Sequence, residues 1–247
     1  MHRFFLPPDA FRGDVVHFPP DIARQLRVVL RLQPGQEVMA LDGQGRAFRV
    51  ELVEVGKQRA VGRIRERLAA TGEPAGELIL CPAISKGERF EWVLQKGVEL
   101  GVTTFQPIIT QRTLRRSPGP GRWDRWRRII REAAEQSGRG RLPSLLDPIP
   151  LPQALTQARG LALMPWVNAQ TPARRALADA AWPVTLFIGP EGGFAAEEAS
   201  LAADAGVQLI TLGPRILRTE TAAIVAVTLV MAALGELDRP ISENEAT

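Results

Sequence analysis

Between residues 78 and 237 the chain repeats one alternation, a short apolar run followed by a longer stretch with apolar residues three and four apart. Runs at 78–84, 104–109, 161–166, 184–188 and 207–212 read as strands, and stretches at 88–100, 123–137, 195–205 and 220–237 read as helices. Phe90, Val93, Leu94 and Val98 share one side of the first helix, and Trp126, Ile129, Ile130 and Ala133 form the apolar face of the second. Few folds accommodate that order. It predicts an α/β domain, a parallel sheet with helices on both faces, and such sheets bind ligands beyond the carboxyl ends of their strands.

The first 70 residues follow a different pattern. Short β-like runs at 15–18, 37–41, 47–52 and 60–64 surround a single helical stretch at 21–32. Asp42-Gly43-Gln44-Gly45 joins two of the runs as a hairpin turn. Asp21 can cap the helical stretch, Pro34-Gly35 is expected to stop it, and Ile22, Leu26, Val29 and Leu30 are expected on one face. Several short strands and one helix predict a small β-barrel over 1–70. Residues 71–76 read as a linker, 77–239 as the second domain and 240–247 as a loose tail.

Composition removes several functions. Cys81 is the single cysteine, and the two histidines, His2 and His17, sit near the N-terminus, so no metal site is expected. Cys81 lies in an apolar run and reads as a core residue. The longest apolar run, 222–234, falls short of a membrane span, and residues 1–6 lack a signal-peptide layout. The expectation is a soluble cytoplasmic protein.

Net charge is only +4, but nearly all the basic residues are arginine; Lys57, Lys86 and Lys96 are the lysines. Between residues 112 and 141 ten arginines stand against Asp124, Glu132 and Glu135. Arginine's planar fork suits phosphate, so this stretch is either a nucleic-acid surface or a solvated face.

Three predicted strands end in loop signatures: Leu163-Met164-Pro165-Trp166, Ile188-Gly189-Pro190-Glu191-Gly192-Gly193, and "LGPRILRTETA" at 212–222. The middle one lacks the Lys-Ser/Thr of a phosphate loop, the spacing of a dinucleotide fingerprint and the serine of a nucleophile elbow. Read alone, a tight turn before a helix-starting acid stays open as the alternative to a ligand loop.

The pair "IGPEGG" and "LGPRILRTETA" closely resembles the SPOUT-class methyltransferases that make 3-methyluridine in 16S ribosomal RNA. "VVLRLQPG" (28–35) resembles that family's N-terminal signature, "KGERFEWVLQKGVELGV" (86–102) the opening of its catalytic domain, and "EAAEQSGRGRLP" (132–143) its middle motif. The chain departs from the family at Gln25, where histidine is usual, and at Gln111-Arg112-Thr113, where Glu-Arg-Ser is usual.

The resemblance implies a PUA-like RNA-binding barrel followed by a SPOUT domain with a deep trefoil knot. It implies S-adenosylmethionine as cofactor, a homodimer, and the small ribosomal subunit as substrate. Under it, Leu163, Pro165, Gly189, Glu191, Gly192, Leu212, Gly213, Ile216 and Leu217 would bind the cofactor. Glu191 would bond ribose or balance the sulfonium, or else act as a helix N-terminal acid. Arg218 would orient the uracil oxygens, and Glu220 would orient that arginine or accept the N3 proton; the alternative is a structural ion pair. Arg27, Arg31, Arg112, Arg115, Arg116, Arg125, Arg128 and Arg139 would meet RNA phosphates, and Gln136 would face the active site. A methyltransferase for another RNA, or a ribosome-assembly factor that binds RNA without catalysis, are the alternative readings.

Overall fold

The computed structural model describes residues 1–113 and 119–240, which divide into two compact units. The first holds residues 1–73 together with 134–142; the second holds 74–133 and 143–240.

In the first unit, β1 (Arg3–Phe5), β2 (Phe11–Arg12), β3 (Val15–Phe18), β4 (Glu37–Leu41), β5 (Arg46–Val55) and β6 (Ala60–Ala69) form a six-stranded sheet in the order β1-β4-β5-β6-β3-β2. All pairings are antiparallel except β1 with β4. Inward residues such as Phe4, Val16, Phe18, Val38, Val50 and Leu52 pack one core with Ile22, Ala23 and Leu26 of the helical segment. That segment departs from a regular helix. α1 (Pro20–Arg24) widens into a π-helical turn at Gln25–Val29. More residues per turn rotate the later side chains off the apolar face, so Val29, expected inside, is 70% exposed.

The β4–β5 turn is tied by one side chain. Asp42 Oδ1 accepts the N–H groups of Gln44 (2.8 Å) and Arg46 (3.0 Å), and Oδ2 accepts the Arg46 guanidinium (2.6 Å). Burial pushes this carboxyl upward, but those hydrogen bonds and the Arg46 charge prevail and hold it below its ordinary value. A depressed folded-state value stabilises the fold above the unfolded-state pKa and loses that contribution as pH falls through the folded one. Asp42→Asn is therefore expected to lower the unfolding free energy in urea at pH 7 by about 1–2 kcal/mol, and to flatten its acid dependence below the ordinary aspartate range. A pH series of unfolding curves checks both.

Residues 134–142 belong to this unit through specific bonds. Arg3 Nη1 donates to the Gly138 carbonyl (2.8 Å), and the Phe5 N–H donates to Glu135 Oε1 (2.9 Å). Glu73 is the hub. It accepts two bonds from Arg139 (3.2 and 2.7 Å) and the N–H groups of Gly140 and Arg141 (both 3.0 Å).

The second unit is a seven-stranded sheet, and every pairing in it is parallel. Its strands are β7 (Leu78–Pro82), β8 (Thr104–Phe105), β10 (Ser144–Leu145), β12 (Leu161–Pro165), β13 (Thr171–Pro172), β14 (Val184–Ile188) and β15 (Gln208–Thr211), ordered β10-β8-β7-β14-β12-β15-β13. The run at 104–109 is not one strand. Pro107, which cannot donate to a ladder, separates β8 from β9 (Ile108–Ile109), which pairs instead with β11 (Ile149–Pro150).

The helices are α2 (Arg89–Glu99), α3 (Pro120–Gln136), α4 (Leu151–Thr156), α5 (Ala173–Ala176), α6 (Ala196–Asp204) and α7 (Thr219–Ala233). Leu151, Ala154 and Leu155 of α4 and Ala202 of α6 share a core with Ile79, Cys81, Met164 and Phe187. α2 and α7 pack together, against β7 and β14. Burial pushes the Cys81 thiol up to about 12. No helix among the described residues is long and apolar enough to cross a membrane.

Candidate active-site cleft

β12, β14 and β15 are three adjacent, parallel strands, and the segments leaving their carboxyl ends converge. Residues 165–167, 188–194 and 211–217, with Arg112 and with Thr219 and Ala222 of α7, line a cleft of about 690 Å³. That volume suits a ligand of nucleoside size. Its walls are mainly apolar side chains (Pro165, Trp166, Leu212, Leu217) and exposed backbone. Gly193 (φ +66°) and Gly213 (φ +106°) take left-handed conformations that other residues rarely adopt. Such a site grips a flat, partly apolar molecule by its faces and reads its edges with backbone N–H and C=O groups.

Side chains tie these loops to neighbouring segments. Glu191 Oε1 accepts the Lys86 N–H (2.9 Å) and a longer bond from Arg89 Nη1 (3.3 Å). Glu191 is thus a tie to the segment after β7, which neither of its two sequence readings anticipated. Arg112 Nη1 donates to the Gly192 carbonyl (2.6 Å). Glu198, buried on α6, accepts the N–H groups of Ala195 (2.9 Å) and Gln111 (2.8 Å). Sequence reasoning passed over Lys86, Arg89 and Glu198. Only Glu198 leaves a signal, an acid three residues after the chain enters a helix, where it can reach back to the first free N–H.

Of the expected cofactor residues, Pro165, Gly189, Glu191, Gly192, Leu212, Gly213, Ile216 and Leu217 border the cleft. Leu163 does not; it is fully buried in β12, inside the sheet. Arg218 and Glu220 stand beside the cleft without bordering it, around its lining residue Thr219. Arg218 is exposed at the N-cap of α7. Glu220 lies in the first turn with Oε2 buried and without a hydrogen-bond partner among the described residues. The two do not pair with each other among the described ion pairs.

The expected phosphate contacts fare unequally. Arg139 is corrected: it is 2% exposed with its guanidinium on Glu73, because the 134–142 segment folds onto the first unit. Arg125 is bonded to Glu91 (2.7 Å), Arg128 is exposed near Glu132 (3.7 Å), and Arg27 donates to the Val55 carbonyl (2.7 Å). Arg31 is exposed, with φ +55°. Arg115 and Arg116 lie outside the described residues.

An all-parallel sheet flanked by helices, with a glycine-lined cleft at its strand ends, defines an α/β ligand-binding domain. Residues 72–231 match the family profile described as RNA methyltransferase domain, and residues 26–65 match the RNA methyltransferase PUA domain. The chain belongs to the RNA methyltransferase family. It is 38% identical over 239 residues to ribosomal RNA small subunit methyltransferase E of Synechocystis, covering 94% of this chain and 78% of that protein. The crystal structure of ribosomal RNA small subunit methyltransferase E from Neisseria gonorrhoeae bound to S-adenosylmethionine is 37% identical, with a TM-score of 0.84 over 96% of this chain and 98% of that one. A methyltransferase structure from Legionella pneumophila in complex with the same cofactor is 34% identical, with a TM-score of 0.84 over 94% and 97%.

Proposed function

We propose that this chain transfers a methyl group from S-adenosylmethionine to N3 of one uridine in 16S ribosomal RNA, on the assembled small subunit. The observation that carries the reading is the cleft itself. Its apolar walls and close-approach glycines suit an adenosine, and relatives of this chain hold S-adenosylmethionine. The cofactor supplies an electrophilic methyl on a sulfonium.

Pro165, Gly189, Gly192, Leu212, Gly213, Ile216 and Leu217 hold the nucleoside part and exclude water from it. Uracil N3 is protonated at neutral pH, so a group must take that proton while donors stabilise charge on O2 and O4. In this reading Arg218 donates to the uracil oxygens and Glu220 accepts the N3 proton at Oε2. Arg27, Arg31, Arg115, Arg116, Arg125 and Arg128 supply phosphate contacts, with strong salt dependence. The two-domain division at 71–76, the knot and a cytoplasmic homodimer belong to the same reading.

Calorimetry with S-adenosylmethionine tests the cofactor, and nucleoside mass spectrometry of 16S ribosomal RNA from a deletion strain tests the product. Loss of 3-methyluridine on deletion is expected; a retained signal ends the reading. Arg218→Ala is expected to cut methylation at least about tenfold with cofactor affinity kept. Full methylation in that variant removes Arg218 from the mechanism.

A further inference from the structure

Arg112 enters the sequence as one member of a basic stretch, yet its guanidinium is already engaged. Nη1 donates to the Gly192 carbonyl at 2.6 Å. The aliphatic stem lies along the same residue: a Cβ on Gly192 would stand 3.3 Å from Arg112 Cδ and 3.5 Å from its Cβ. A second tie joins the same two segments. Glu198, 6% exposed, accepts the Gln111 N–H with one oxygen and the Ala195 N–H with the other. The turn between them is closed internally, with the Thr110 N–H donating to Thr113 Oγ1 at 2.9 Å. Residues 110–113 therefore fasten the 189–195 loop at both Gly192 and Ala195.

That loop needs fastening. Gly192 and Gly193 are consecutive, and glycine loses more conformational freedom on ordering than any other residue. A hydrogen bond from a charged donor is about twice as strong as a neutral one, and a loop held in its bound shape binds ligand without first being ordered. We propose that Arg112 and Glu198 are positioning residues that hold the 189–195 loop in its cofactor-binding form, Arg112 acting through the Gly192 carbonyl rather than as a free phosphate contact. The proposal rests on the reading of the cleft as a cofactor site.

Two measurements on the full chain without RNA test it. Hydrogen exchange of the 189–195 amides is expected to speed up in Arg112→Ala and in Glu198→Gln, which removes one of the two carboxylate acceptors. The dissociation constant for S-adenosylmethionine is expected to rise about tenfold in Arg112→Ala, with Arg112→Lys intermediate because one charged donor remains. The effect should fall on KM for the cofactor more than on kcat. Unchanged exchange, or unchanged cofactor affinity with the wild type binding normally, overturns the proposal and returns Arg112 to the phosphate contacts. If the wild type itself fails to bind the cofactor, the functional reading falls, and the exchange comparison alone still decides whether the clamp exists. Should Arg112→Ala fail to fold, the lysine variant carries both measurements.

Discussion

A Glu220→Gln enzyme is expected to bind S-adenosylmethionine as the wild type does and to methylate ribosomal RNA about 10²–10⁴-fold more slowly. Buried polar atoms in folded proteins are almost always hydrogen-bonded, and leaving one without a partner is costly. Glu220 Oε2 is buried and has no partner among the described residues. It lies in the first turn of α7, and a carboxylate oxygen accepts hydrogen bonds. An acceptor kept open beside the cleft gains its partner when a donor arrives, and a uracil N3–H is such a donor. Glutamine keeps the shape but cannot take up a proton. Single-turnover kinetics beside calorimetry separates the roles. Wild-type turnover with a lowered melting temperature would make Glu220 a helix-start residue and nothing more.

The second large effect is on stability. Glu73→Ala removes the carboxylate that accepts from the buried Arg139 guanidinium and from the Gly140 and Arg141 N–H groups. Breaking a buried pair from one side costs about 3–5 kcal/mol, a large part of the roughly 5–15 kcal/mol that holds a typical domain together. The melting temperature is expected to fall by on the order of 10 °C. Adding Arg139→Met to Glu73→Leu should recover part of the loss, because the buried charge goes while the apolar volume stays. Thermal melts of the single and double variants check this. Equal melting temperatures for wild type and Glu73→Ala would mean that the segment is held by its other bonds, such as Arg3 to Gly138.

The parallel sheet was legible because burial on both faces leaves a direct mark, a short run of apolar residues between amphipathic stretches. The cleft was legible for a related reason. Glycine and proline at the ends of β12, β14 and β15 are local requirements of loops that turn sharply beside a ligand. What pairing does across long sequence separations leaves no such mark. Glu73 and Arg139 are ordinary charged residues in sequence, and only folding brings 134–142 onto the first unit. The tie at Glu191 is invisible in the same way, since its partners Lys86 and Arg89 lie about a hundred residues earlier. Val29 failed for a local reason: a π-helical turn follows from no residue pattern, yet it shifts every side chain after it.

Cys81 has a practical consequence. Its thiol is the only one in the chain, is buried in the sheet, and is held protonated far above neutral pH. Only an accessible thiolate attacks a maleimide or iodoacetamide, so the native chain offers almost no background to such reagents. A cysteine placed on the rim of the cleft, at Val167 or Ile216, would then carry a fluorophore or spin label alone. Slow uptake at Cys81 itself would time the opening of the central sheet.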